Sequence, residues 1–358
     1  MLKKIYVLAF FCISLVLFSY TTFDKKKIQA NLWSENKSTD VDKIDDGPYI
    51  FITNDSLIEK KINNGKLESR TLALETMPFQ FKDESSAYHN VSKIAALSDI
   101  HGQYDLTTTI LKNNKIIDDF ENWIFGDGHF VIVGDVFDRG PQVTELLWLI
   151  FKLEEQAKEA GGKVHYLLGN HEYMVMQNDL RYLNKKYRQT VRILRTHYHE
   201  LYGTNTVLGR WLRSKATIIT INDYLFVHGG LSQEFIGSDF NLETANEKMR
   251  LSLLTDSTNL KNDSIYLKYH DSNSPIWYRG YFSEEFKNDQ IKNILKALKV
   301  KHIVVGHTSQ TQIESLFKNR VFVVDTSIKN GVSGELLFIE ESGFYRGTID
   351  GQKIKIKK

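Results

Sequence analysis

Two kinds of apolar pattern run along this chain. Lys3-Lys4 is followed by an uncharged apolar stretch over residues 5–23, the basic-then-apolar order of an export signal or an N-terminal membrane anchor. Residues 24–47 lose apolar periodicity and read as a polar tether, which leaves 48–358 as the folded domain. Within it, 48–53, 57–62 and 66–72 read as short strands, and Asn63-Asn64-Gly65 joins the last two as a hairpin turn. The pattern then shifts to nearly unbroken apolar runs at 94–97, 130–133, 164–168, 224–227, 303–305 and 321–324. Such runs suit strands buried on both faces, and helical stretches between the first three give the alternation of an α/β fold. Residues 172–195 read as one helix whose Arg181, Lys185, Lys186, Arg188, Arg192 and Arg195 form a solvated basic face. Neither a linker nor a repeat interrupts the chain after Gly47, so one domain is expected.

The chemistry lies where the runs stop. Residues 94–97 end in Ser98-Asp99-Ile100-His101-Gly102, and 130–133 in Gly134-Asp135-Val136-Phe137-Asp138-Arg139-Gly140. The next three runs end in Gly169-Asn170-His171-Glu172, His228-Gly229-Gly230 and Gly306-His307-Thr308. In α/β sheets the loops leaving the carboxyl ends of the strands line the ligand crevice, so these groups are expected to converge across more than half of the sequence.

Composition narrows what they can do. Lys and Arg total 46 against 44 Asp and Glu, a formal charge of +2, which gives no bulk attraction to nucleic acid or an anionic surface. Tyrosines and phenylalanines are dispersed rather than gathered into a stacking platform, so no nucleic-acid partner is expected. The single cysteine, Cys12, falls in the N-terminal apolar run, so the domain has no thiolate ligand or nucleophile. Oxygen and imidazole donors favour Mn, Fe or Zn in an open site. Gly331-Val332-Ser333-Gly334 lacks the spacing of a nucleophile elbow, and neither a phosphate-binding loop nor a dinucleotide fingerprint is present. His197 and His199, two apart, cannot share a helical face and read as structural or solvent-facing.

Taken together, these motifs resemble the phosphoprotein phosphatase family of calcineurin-like metallophosphoesterases over about residues 93–327. Asp138-Arg139-Gly140 with Asn170-His171-Glu172 carries that likeness. Met174, Asp179-Leu180-Arg181-Tyr182, 208–213 and 275–279 are similar to the Shewanella-like, bacterial-type branch. Ser98 stands where most members have glycine. The resemblance implies a two-sheet β-sandwich flanked by helices and two divalent or trivalent ions. It assigns one ion to Asp99, His101 and Asp135 and the other to Asp135, Asn170, His228 and His307. His171 would then protonate the leaving group, Asp138 would orient it, and Arg139 and Arg279 would hold phosphoryl oxygens. The expected activity is hydrolysis of phosphomonoesters, phosphorylated proteins or small esters, by a hydroxide generated between the ions. The alternatives are a diadenosine polyphosphate hydrolase and an inactive binding module, and the latter needs a missing ligand. The N-terminal pattern adds an exported location with possible membrane attachment.

Overall fold

A computed structural model describes residues 43–254 and 264–357; the expected export or anchor segment, 1–23, and nearly all of the expected tether lie outside the described residues. Among the described residues no helix is long and apolar enough to cross a membrane. The expected hairpin forms: β1 (Asp46–Ile52), β2 (Leu57–Asn63) and β3 (Lys66–Leu72) make an antiparallel sheet of their own. Asn63 pairs with Lys66 across a turn in which Asn64 and Gly65 have φ of 50° and 74°, the left-handed pair that tight hairpins need. The fold begins before residue 48. Asp46 is buried and accepts hydrogen bonds from Tyr49 Oη at 2.8 Å and Thr190 Oγ1 at 2.5 Å, pinning the first strand to the helix Lys185–Leu194.

Two six-stranded sheets form the body. The first contains β5 (Lys93–Leu97), β6 (His129–Ile132) and β7 (Lys163–Tyr166), extended by β13 (Leu336–Glu340), β14 (Gly343–Gly347) and β15 (Lys353–Lys355). The second runs β11 (Glu314–Leu316), β12 (Val321–Val323), β10 (His302–Val305), β9 (Tyr224–Val227), β8 (Ile218–Ile221) and β4 (Ala87–Tyr88). Alternation along each strand explains the unbroken apolar runs. Ile94, Ala96, Val131, Phe226, Val304 and Phe322 meet in the layer between the sheets. Their neighbours Ala95, Leu97, Phe130 and Ile132 turn the other way, toward helices Tyr104–Asn113 and Val143–Glu159. On the far side, Leu225, Val227, Ile303 and Val305 pack with Ile291 and Ile294 of the helix Asn288–Leu298. Every position is thus apolar because every position is covered. The expected α/β sandwich flanked by helices is what forms.

Register decides where the polar loops go. Leu97, Ile132 and Tyr166 are level on the parallel strands β5, β6 and β7, and Val227, Val305 and Val323 are level on β9, β10 and β12. Hydrogen bonds across the two groups join those ends into one edge, from His307 N to Asp99 Oδ2 at 2.9 Å and between His228 Nδ1 and Val133 O at 2.7 Å.

The expected helix over 172–195 is two helices, Asn170–Met176 and Lys185–Leu194, with a loop between them. Asn178 takes a left-handed φ of 63° and stops the first, and Asn184 caps the second by accepting from Lys186 N at 2.9 Å. Arg181 therefore belongs to the loop, where it pairs with Asp179 at 2.8 Å, and not to a continuous basic face.

A histidine pair inside the first sheet gives the domain an acid-sensitive element. His165 Nε2 on β7 lies 2.9 Å from His129 Nδ1 on β6, and Tyr88 packs on His165 with centroids 4.5 Å apart. Burial, with the charge of Lys163 adding, pushes His129 down to about 4 against a small opposing pull from Asp127; burial holds His165 well below its ordinary value. Both groups titrate lower in the fold than in the unfolded chain. Their contribution to stability is complete above the ordinary value of about 6.5 and is lost as pH falls toward 4. The thermal midpoint should drop between pH 7 and pH 4.5, and drop less in a His129→Val, His165→Val double variant, which removes both partners and strands neither. Equal drops would place the acid sensitivity elsewhere.

Candidate metal centre

Six non-glycine residues at the joined edge have left-handed backbone: Asp99, His101, Asp135, Asp138, Arg139 and His307, with φ between 43° and 70°. Such conformations cost about 1 to 3 kcal/mol each and persist only where the surroundings impose them. Much of that imposition comes from Glu172, in the first turn of the helix Asn170–Met176 and fully buried. Its Oε1 accepts from Val136 N at 2.7 Å, Phe137 N at 3.2 Å and Tyr166 Oη at 2.9 Å. Its Oε2 accepts from Asp135 N at 2.9 Å and Gly169 N at 2.7 Å. One carboxylate thus shapes the loops after both β6 and β7. The loops meet closely: a Cβ on Gly134 would fall 2.7 Å from Gly169 Cα, so glycine is required there.

The structure brings all six expected ligands together, with Asp135 at the middle. Asp135 Oδ2 lies 3.2 Å from His228 Nε2, 3.6 Å from His101 Nε2 and 3.9 Å from His171 Nε2, while its Oδ1 accepts from His171 N at 3.0 Å. His101 Nε2 is also 3.8 Å from Asp99 Oδ1. His228 Nε2 lies 2.9 Å from Asn170 Oδ1 and 3.1 Å from His307 Nδ1. Backbone carbonyls hold the rings: His101 Nδ1 is 2.6 Å from Phe137 O and His228 Nδ1 is 2.7 Å from Val133 O. These two histidines consequently keep Nε2 turned inward, as metal-binding imidazoles do, whereas His307 turns Nδ1 toward His228. Ser98, in the place of the expected glycine, brings its Oγ 2.6 Å from Asp99 Oδ2 and 2.8 Å from Val133 O, two acceptors that share its one hydroxyl proton.

The donor set fits cations. Burial drives His101 down to about 3 and His307 to about 2, so both present neutral lone pairs. Against burial, Asp135 holds His228 up to about 10; a proton there satisfies the oxygens that a cation would otherwise satisfy. Burial and the charge of Asp325 push the Asp99 carboxyl well above its ordinary range, the mark of negative groups crowded in a dry site.

His171 differs from the other histidines. Its Nδ1 lies 2.6 Å from Asp138 Oδ2, a fully buried carboxylate, and so its Nε2 faces Asp135. Burial lowers this imidazole, but Asp135 and then Asp138 outweigh it and hold it above the ordinary value. His171, His101 and Asp135 are also close enough to form a ligand group in their own right. The ring is arranged either to give a proton or to bind an ion, and metal content separates the two.

At the rim, Arg279 Nη1 donates to His307 O at 2.7 Å and Thr308 Oγ1 at 2.9 Å, and Arg139 lies exposed with its guanidinium carbon 5.0 Å above the ring of Tyr182. Trp277 meets the His307 ring edge-on at 5.5 Å. The roles of three residues escaped the reading of the sequence, although Glu172 and Tyr182 fall inside motifs it picked out. The part played by Glu172 depends on contacts with other loops, so it left no local signal. Tyr182 reaches the site only because the helix over 172–195 is broken. Asp325 follows β12 just as the other polar groups follow their strands; buried, it accepts from Ser309 Oγ at 2.5 Å and Ser327 N at 3.0 Å. His197 and His199 stack on each other at 5.9 Å, on the short helix Tyr198–Tyr202 and its cap, and take no part in the cluster.

Residues 92–310 match the family model for calcineurin-like phosphoesterases. A cold-active protein-tyrosine phosphatase from a psychrophilic Shewanella species has a similar crystal structure, with a TM-score of 0.84 and 42% identity over 88% of this chain and 100% of that one. Shewanella-like protein phosphatase 1 of Plasmodium berghei is 29% identical over 70% of this chain and 75% of its own length. Shewanella-like protein phosphatase 2 of Arabidopsis thaliana is 26% identical over 70% of this chain and 74% of its own.

Proposed function

Since the chain belongs to the calcineurin-like phosphoesterase family and is a metal-dependent phosphoesterase, we propose that it hydrolyses phosphomonoesters, phosphorylated proteins foremost, at a centre of two divalent or trivalent ions. The observation that carries this reading is the convergence of three imidazoles on Asp135 Oδ2, with the His171–Asp138 pair beside them. The 42% identity to a protein-tyrosine phosphatase across nearly the whole domain favours a phosphoprotein substrate.

Asp99, His101 and Asp135 would hold one ion, and Asp135, Asn170, His228 and His307 the other. Ions so held would supply Lewis acidity and acidify water. The protein's own groups do the rest. Asp138, bonded to Nδ1, fixes the His171 tautomer and leaves Nε2 to carry a proton to the departing oxygen. The Arg279 guanidinium, anchored on the His307 carbonyl, and the exposed Arg139 would clamp non-bridging phosphoryl oxygens and keep the ester in line.

Metal content measured beside a substrate panel tests the reading. We expect bound Mn, Fe or Zn, activity lost on chelation and regained with the ion, and kcat/KM highest for phosphopeptides and aryl phosphomonoesters. Arg279→Ala should lower kcat/KM by about 10-fold or more and spare metal content, as expected for a charge-assisted contact worth ~1.5 to 3 kcal/mol. Full activity in metal-free protein, or a clear preference for phosphodiesters or diadenosine tetraphosphate, would overturn it.

A further inference from the structure

The loop that interrupts the expected helix places an aromatic ring against the proton donor. Tyr182 lies with its centroid 5.1 Å from that of the His171 imidazole, at an interplanar angle of 48°. Arg139 and Arg181 set their guanidinium carbons 5.0 and 5.7 Å over the same ring. Backbone contacts fix the arrangement: Arg139 N donates to Tyr182 O at 3.1 Å, and Asn184 Nδ2 donates to Arg139 O at 2.7 Å. Asp179 in turn grips Arg181 through both carboxylate oxygens, at 2.9 and 2.8 Å. The ring is therefore bracketed by charged neighbours, and yet Tyr182 as a residue remains 42% exposed. Tyr166, Tyr173 and Tyr187, by contrast, are buried.

Resting on the phosphomonoesterase reading above, we infer that Tyr182 is a specificity-determining residue, a wall for the leaving group of an aryl phosphomonoester such as phosphotyrosine. The reasoning follows the bonds of the substrate. Arg139 would hold oxygens on phosphorus and His171 would meet the bridging oxygen. Both of these groups touch Tyr182, so the carbon attached to the bridging oxygen emerges beside its ring. In an aryl ester that carbon belongs to an aromatic plane, which can pack on Tyr182 in the offset or tilted geometry such pairs prefer. A phosphoserine offers one methylene there and gains little. Because Asp179 and the two arginines already restrain the ring, little conformational freedom remains to be lost on binding.

The test uses the metal-loaded enzyme, with phosphotyrosine and phosphoserine peptides of one sequence, and calorimetry of phenylphosphonate, methylphosphonate and inorganic phosphate. Tyr182→Ala should weaken phenylphosphonate binding and raise KM for the phosphotyrosine peptide by about 3- to 10-fold, the range an aromatic pair contributes. Methylphosphonate, phosphate and the phosphoserine peptide should move little, and Tyr182→Phe should behave as the wild type. A parallel loss for all three anions would show that Tyr182 only positions Arg139, and no loss for any would show that the ring is idle; either result overturns the inference. Failure of the wild type to hydrolyse any monoester would sink the phosphatase reading, whereas the phenylphosphonate comparison still decides the wall.

Discussion

Asp135→Asn is expected to lower kcat/KM on the order of 10³- to 10⁴-fold and to leave the protein unable to retain either ion. The magnitude is what the loss of several kcal/mol of Lewis-acid stabilisation implies, at tenfold per 1.36 kcal/mol. Asparagine is the informative replacement. It keeps the oxygen that accepts from His171 N and tolerates the left-handed φ of 60° at this position, so the change is chiefly one of charge. Asp135 is the only described carboxylate whose oxygen lies within 3.9 Å of His101, His171 and His228 together. Asp99→Asn should act differently. Asp99 approaches His101 alone among these, so its variant should weaken one ion and keep the other. Elemental analysis of both purified variants, read beside kcat/KM, checks the pair. Two ions and full turnover in Asp135→Asn would remove Asp135 from the centre.

His171→Asn should retain the wild-type metal content and lose about 10² to 10⁴-fold in kcat on a phosphoserine peptide, the usual contribution of a positioned proton donor. On p-nitrophenyl phosphate, whose leaving group departs without protonation, the loss should be much smaller. A pH profile adds an independent reading. Asp135 and Asp138 hold the imidazole above its ordinary value, so the protonated form persists past about pH 6.5 and is lost as pH rises further. The alkaline limb of kcat on phosphoserine should report that loss and vanish in the variant. Loss of an ion would instead make His171 a ligand, the alternative its proximity to His101 and Asp135 allows.

Much of this was legible in the sequence, and for one physical reason. Strands covered on both faces must be apolar throughout, so 94–97, 130–133 and 303–305 stand out, and the polar residues that end them mark the crevice edge. What was not legible depends on packing across the chain. Leu336–Glu340 is as apolar as its neighbours, but no chemistry follows it, and only its antiparallel pairing with β5 reveals it as part of the first sheet. The boundary at 48 missed Asp46 because its partner, Thr190, is 144 residues away. The helix over 172–195 failed where asparagines that stop and cap helices lie inside an otherwise helical composition.

The hub at Glu172 bears on how the protein meets its ions. Five hydrogen bonds from protein donors to one buried carboxylate set the loops after β6 and β7. Small domains that fold only around their metal lack such a scaffold; here the loops that carry the candidate ligands are tied by the protein's own hydrogen bonds, so little binding energy should be spent on ordering them. Chelation is therefore expected to strip the centre without unfolding the protein, so that a chelated sample should keep its circular dichroism and recharge with the same or a different metal without passing through the unfolded state.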